Sequence, residues 1–182
     1  MEILEAIRTR RSIRKYKSDP VDEKTLATVL EAARQAPSWA NTQCWRFIVV
    51  RDAEIKGKLS DTLSETNPAR DAVCNAPIVI VACAEMGRAG YKSGEVTTDK
   101  GDWFMFDVAL AMHNLVLAAH SLGLGTVYVG LFDAKKAASI LSVPEGYGAV
   151  AMTPLGYPDE IKEPRPRKEL DEIVHYDKWG PE

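Results

Sequence analysis

Three cysteines and three histidines are all that 182 residues offer to disulfides or to a Cys/His metal site. Cys44, Cys74 and Cys83 form no C-x-x-C pair and no Cys/His array, so neither a disulfide framework nor a metal site is expected, and the thiols read as reduced and cytoplasmic. No G-x-S-x-G elbow occurs, which leaves Ser-His-Asp hydrolysis without support. Residues 1–11 alternate charge with single apolar side chains and hold no apolar signal core, so no secretory segment is expected. No repeat, low-complexity tract or linker marks a second domain. The net charge of -3 lacks the basic excess that bulk nucleic-acid binding uses. A hydrophobic content of 46% fits one domain, 1–182, with a sizeable core.

What is present reads as alternating helices and short strands. Residues 2–8 have helical spacing, with Ile3, Leu4 and Ile7 on one face. Asp22 is an N-cap candidate for a helix through Leu26, Val29, Leu30 and Ala33 that ends near Pro37. Residues 37–43 form a polar loop before the buried strand 45–50. Helices are expected over 53–63 and 68–74, strands over 77–83, 126–131 and 147–155, and a short helix over 133–141. Residues 85–100 read as an irregular lid or surface loop. Residues 102–122 form the longest helix, apolar nearly all round; Asp107, His113, Asn114 and His120 interrupt it, which favours a core helix over a membrane span. Gly123 and Gly125 can stop it in a left-handed turn. The Pro-rich tail still carries Tyr176 and Trp179, and aromatics without a local core suggest docking elsewhere.

The cations are distributed unevenly. Arg8, Arg10, Arg11, Arg14, Lys15 and Lys17 crowd ten residues, and Arg165, Arg167 and Lys168 form a second group near the other end. Guanidinium forks beside the Ser12 hydroxyl suit a phosphate monoester better than a carboxylate. A solvated basic face is the alternative for either group alone. Gly123, Gly125 and Gly130 do not make a dinucleotide fingerprint, because a helix precedes them and a strand follows. His113 and His120 read as hydrogen-bonded core or interface residues, and Cys44 as a buried, inert thiol.

Taken in order, these segments resemble the FMN-dependent nitroreductases over nearly the whole chain. Arg10-Arg11-Ser12-Ile13-Arg14 resembles the family's Arg-x-Ser-x-Arg/Lys motif for the flavin phosphate and ring. The stretch from Pro37 and Ser38 through Trp39, Asn41 and Gln43 resembles its Pro-Ser-x-x-Asn-x-Gln loop. Val127-Tyr128-Val129-Gly130 falls where the family passes backbone along the isoalloxazine edge. Arg165-Pro166-Arg167 resembles the basic pair that closes on the phosphate. The chain departs from the pattern at Trp39, where a small residue is common, and at Cys44, where proline usually precedes the Trp. Its segment 85–100 is short where many relatives carry a helical excursion over the substrate.

The resemblance implies an α+β, nitroreductase-like fold: a mostly antiparallel central sheet flanked by helices, in an intertwined homodimer. Residues 168–182 would pack on the partner subunit. It implies FMN as cofactor, NADH or NADPH as donor and a small conjugated acceptor such as a nitroaromatic or quinone. Arg10, Arg11, Ser12, Arg165 and Arg167 would hold the phosphate, and Arg14 would face N1/O2. Backbone N–H groups near Val129 and Gly130 would face N5 or O4, beside Val127. Pro37, Ser38, Trp39, Asn41 and Gln43 would serve the other subunit's flavin. Asn67 and Arg70 match a ring-contacting pair in some relatives or, equally, a solvated helix face. No side chain is assigned as a general base. The alternatives are a flavin-binding or sensor protein with little turnover, and flavin or dehalogenating chemistry on the same fold.

Overall fold

The computed structural model describes residues 1–160 and 162–180; Ile161 and the last two residues of the tail lie outside them. Four strands form one antiparallel sheet in the order β1 (Trp45–Val50), β2 (Ile78–Glu85), β6 (Tyr147–Gly156), β5 (Gly125–Thr126). β2, one of the two central strands, is buried on both faces, which explains its unbroken apolar run. Val79, Val81 and Cys83 join one core cluster, while Ile78 and Ile80 join the other, as the two-residue period of a strand requires.

On one face lie α3 (Ala53–Ser60), α4 (Arg70–Asn75) and α6 (Ala134–Ile140), packing Leu59, Val73 and Ala137 against Val79, Val81 and Met152. On the other lie α2 (Glu23–Arg34) and α5 (Phe104–Ser121), packing Leu26, Val29, Leu115 and Val116 against Ile80 and Leu155. Each fully buried Leu or Ile of this kind contributes roughly 1.5–3 kcal/mol. Asp22 caps α2, its carboxylate accepting from Thr25 N at 2.9 Å. α5 is long and apolar enough to cross a membrane by length and composition, yet it packs as a core helix with Asp107 itself buried.

Several elements differ from the expected ones. The strand expected over 126–131 pairs only at Gly125–Thr126 and touches β6 once more, at Val129↔Met152. Both contacts keep one register, and the ladder lapses at 127 and 128 between them. The helix expected over 53–63 stops at Ser60, and that expected over 68–74 is Arg70–Asn75. Segment 85–100 contains a small hairpin, β3 (Tyr91–Lys92) with β4 (Glu95–Val96). The first helix, α1 (Ile3–Thr9), buries Ala6 and leaves Ile3, Leu4 and Ile7 exposed. α5 is not apolar to the core all round, because Met105, Phe106 and His113 are exposed.

Gly123 does end α5 with a left-handed φ of +80°. Gly125 has no such angle, and its need for glycine is contact: a Cβ there would lie 2.9 Å from Ile13. Gly156 is equivalent on β6, where a Cβ would lie 2.6 Å from Pro77. Two side-chain-free positions thus let residues 10–17 cross the sheet edge closely.

Candidate functional site

Residues 10–17 act as an extra edge strand. Ser12 bridges Thr126 in parallel, and Ile13 N donates to Thr126 O at 2.9 Å. Lys17 N donates to Tyr157 O, and Asp159 N to Lys15 O, both at 2.9 Å. Tyr16, opposite Pro158, donates its hydroxyl to Ile13 O at 2.6 Å; burial, then Glu160, push its pKa far up. The pairing fixes the basic segment against the end of β6, from which the C-terminal strap departs.

The result is a cavity of about 190 Å³ lined by Arg10, Arg11, Ser12, Arg14, Lys162, Glu163, Arg165 and Arg167. Six cations face one carboxylate there. Three guanidinium nitrogens of this wall are buried without a partner: Arg10 Nη1, Arg11 Nε and Arg14 Nε. A buried, unmatched charged donor is costly, so three together mark a place built for an acceptor. Arg11 spends its Nη1 on the carbonyls of Arg8 and Arg10, each at 2.8 Å, which orients the fork rather than neutralising it. The residues present therefore fit a phosphate monoester.

Glu160 was not legible as part of this arrangement. Its carboxylate accepts from Arg14 N at 2.6 Å and Lys15 N at 3.3 Å, and pairs with Lys162 Nζ at 2.8 Å. Burial pushes this carboxyl up, but Lys162 and the two backbone donors outweigh it and hold it below the usual range. Behind the same wall, His120 Nε2 lies 2.8 Å from Thr9 Oγ1, and burial followed by Arg10 and Arg11 lowers its pKa.

The loop 37–44 lies elsewhere in the chain. Pro37, Ser38 and Trp39 line a cavity of about 390 Å³ with Trp103, Phe106, Asp107 and Leu110. Asn41 and Gln43 are exposed and line neither cavity. Ala40, Asn41 and Gln43 all hold left-handed φ of 44–55°, an uncommon state for residues with a Cβ. What stabilises them is Asp107 of α5, fully buried. Its carboxylate accepts from Trp39 N at 2.9 Å, Thr42 Oγ1 at 3.3 Å and Cys44 Sγ at 3.7 Å. Ser38 Oγ accepts from Gln43 N at 2.9 Å, closing the loop on itself. Cys44 is fully buried, and burial with Asp107 beside it pushes its thiol up to about 12, so it is inert as expected.

Val127 and Val129 are core side chains, each 3% exposed. The Val129 N–H is committed to Met152 O at 2.9 Å, so of the pair expected to face a ligand only that of Gly130 is without a partner among the described residues. Asn67 Nδ2 donates to Leu131 O at 3.2 Å, and Arg70 binds Asp61 and Leu63 O, so both are engaged in loop architecture. His113 lies 3.3 Å from the Tyr128 hydroxyl on the surface, and exposed His175 stacks on Trp179 with centroids 4.3 Å apart. No cluster of His, Cys, Asp or Glu arranged for a metal exists among the described residues.

Fold and cavity together define an α+β protein with a cationic cavity between its N-terminal segment and its C-terminal strap. The nitroreductase family profile matches residues 7–75 and 64–157. A candidate NADH dehydrogenase/NAD(P)H nitroreductase of Methanothermobacter thermautotrophicus is 36% identical, over 98% of this chain and 88% of its own. A 5,6-dimethylbenzimidazole synthase of Rhodospirillum rubrum is 32% identical, over 90% and 84%. The solved FMN-dependent nitroreductase of Clostridium difficile R20291 superposes with a TM-score of 0.81 at 30% identity, covering 97% of this chain and 99% of that one. The chain belongs to the nitroreductase family.

Proposed function

We propose that this chain is a homodimeric FMN-dependent oxidoreductase that takes hydride from NADH or NADPH and reduces a small conjugated acceptor, such as a nitroaromatic or quinone. The observation that carries the reading is the cationic cavity with three unpartnered buried guanidinium nitrogens. Paired arginine forks recognise phosphate by geometry as well as charge. The names of the Methanothermobacter and Clostridium relatives support the same chemistry. The Rhodospirillum relative ties the family to a second reaction, which is why the acceptor is proposed as a class.

In this reading Arg10, Arg11, Ser12, Arg165 and Arg167 hold the phosphate, and Arg14 offsets negative charge at the pyrimidine edge of the ring. Bound FMN supplies hydride acceptance and donation at N5. Gly130 offers the available N–H near the ring. Ser38, Asn41 and Gln43 belong to a loop that does not reach the cationic cavity of its own chain, which supports their serving the partner's flavin. The exposed Ile3, Leu4, Met105, Phe106, Tyr176 and Trp179 supply apolar surface for such a partner.

Sedimentation of the purified chain, followed at the visible flavin band, is the test. FMN should travel with a species of twice the chain mass, and NADH or NADPH should bleach it. A colourless protein that takes up no FMN, or a monomer carrying FMN, is the contrary result.

A further inference from the structure

The strap carries three of the six cations of the cavity, Lys162, Arg165 and Arg167, all on an exposed stretch. Its attachment to the body is sparse. Among the described residues, Tyr16↔Pro158 and Asp159 N to Lys15 O are the last backbone pairings between this stretch and the body. Beyond Glu160, no residue of 162–168 donates a hydrogen bond to the body among the described residues, other than Lys162 to Glu160 itself. The Arg167 guanidinium reaches only the carbonyls of Arg165 and Pro166, at 3.2 and 3.4 Å. Glu160 lies at the last anchored point. Its side chain is only 11% exposed and takes no part in the cavity wall. One oxygen holds the backbone of Arg14 and Lys15, and the other holds the first strap cation, Lys162.

We infer that Glu160 is the positioning residue of the phosphate site: its carboxylate fixes where the strap leaves the body, and so sets Lys162, Arg165 and Arg167 opposite Arg10, Arg11 and Arg14. The inference rests on the phosphate reading above and deepens it. It opposes the simple electrostatic expectation. A carboxylate beside a cationic cavity repels a bound dianion, so charge alone makes Glu160→Ala bind FMN more tightly. Positioning makes the same variant bind FMN more weakly, because three cations lose their register.

Calorimetric titration of wild type, Glu160→Ala and Glu160→Gln with FMN and with riboflavin separates these signs. Glu160→Ala should weaken FMN about tenfold and riboflavin by no more than about threefold, because the strap cations act only on the phosphate whereas Arg14, whose backbone Glu160 also holds, acts on the ring. Glu160→Gln keeps an acceptor for Arg14 and Lys15 but loses the ion pair, and should fall between. Limited trypsin cleavage after Arg167 and Lys168 should accelerate in the same order, a readout independent of flavin. Unchanged or tighter FMN binding by Glu160→Ala overturns the inference, as does a parallel loss of both flavins, which is a merely structural effect. A wild-type protein that binds FMN no better than riboflavin overturns the phosphate reading itself, and this inference with it.

Discussion

The cationic cavity and the loop 37–44 are both built around a carboxylate, and they use it in opposite ways. At the cavity, Glu160 stands behind the wall, and the arginines in front keep three buried nitrogens unpaired. In the loop, Asp107 consumes the donors of Trp39, Thr42 and Cys44, and Ser38 consumes that of Gln43. One region retains unsatisfied donors and so is poised for a ligand of opposite charge. The other satisfies itself and offers a shaped apolar wall. The first should therefore respond to mutation mainly in binding, and the second mainly in stability.

Asp107→Ala is the harshest test of that division. It strands three donors beside a side-chain-sized void, and removing a buried polar hub of this kind costs about 3 kcal/mol. Urea unfolding should show that loss with apoprotein and with flavin alike. A loss below about 1 kcal/mol would mean that the Ser38–Gln43 bond suffices to hold the left-handed turns.

Arg10 and Arg167 sharpen the other half. Arg10 is partly buried with an unpaired Nη1, whereas Arg167 is exposed and donates to the carbonyls of Arg165 and Pro166. Arg10→Ala should weaken FMN by roughly 2–3 kcal/mol, the range for charge-assisted bonds. Arg167→Ala should cost about 1 kcal/mol, because a solvated cation gains less from the same anion. Neither should shift the unfolding midpoint of the apoprotein much. Equal effects at the two sites would imply that the strap is buried by the ligand as deeply as residue 10.

The same contrast explains what was readable in the sequence. Both arginine groups, the capped α2, the apolar β2 and the long α5 announce themselves through local composition and period. The two carboxylates do not, because their partners are remote: Asp107 meets Trp39 across 68 residues, and Glu160 meets Arg14 across 146. Asp107 was visible only as an interruption of an apolar helix, which marks an oddity without naming its partner. The strand expected over 126–131 failed for a related reason. TVYVGL alternates like a strand, but residues 11–13 occupy the other edge of β5, and pairing with β6 lapses at 127 and 128. Gly125 reads as a turn glycine, and its use in seating Ile13, like that of Gly156 beside Pro77, became evident only in three dimensions.

The smallest expected effect is at Trp39, whose backbone and side chain play separate parts within the loop region. Its backbone N–H belongs to the Asp107 hub, while its indole lines the cavity shared with Trp103, Phe106 and Leu110. The residue is partly exposed, which favours a cavity wall over a core plug. Trp103 and Phe106 stand edge to face, with centroids 5.3 Å apart and planes at 73°, and line the same cavity as Trp39. Trp39→Ser keeps the N–H and its bond to Asp107, so the loop should persist. What is lost is one aromatic face, worth about 0.5–1.5 kcal/mol to a stacked acceptor. The Michaelis constant for bulky flat acceptors should therefore change by a few-fold, with FMN affinity and melting temperature near wild type. A lower melting temperature with an unchanged acceptor profile would instead make Trp39 a packing residue and would assign the cavity wall to Trp103 and Phe106 alone.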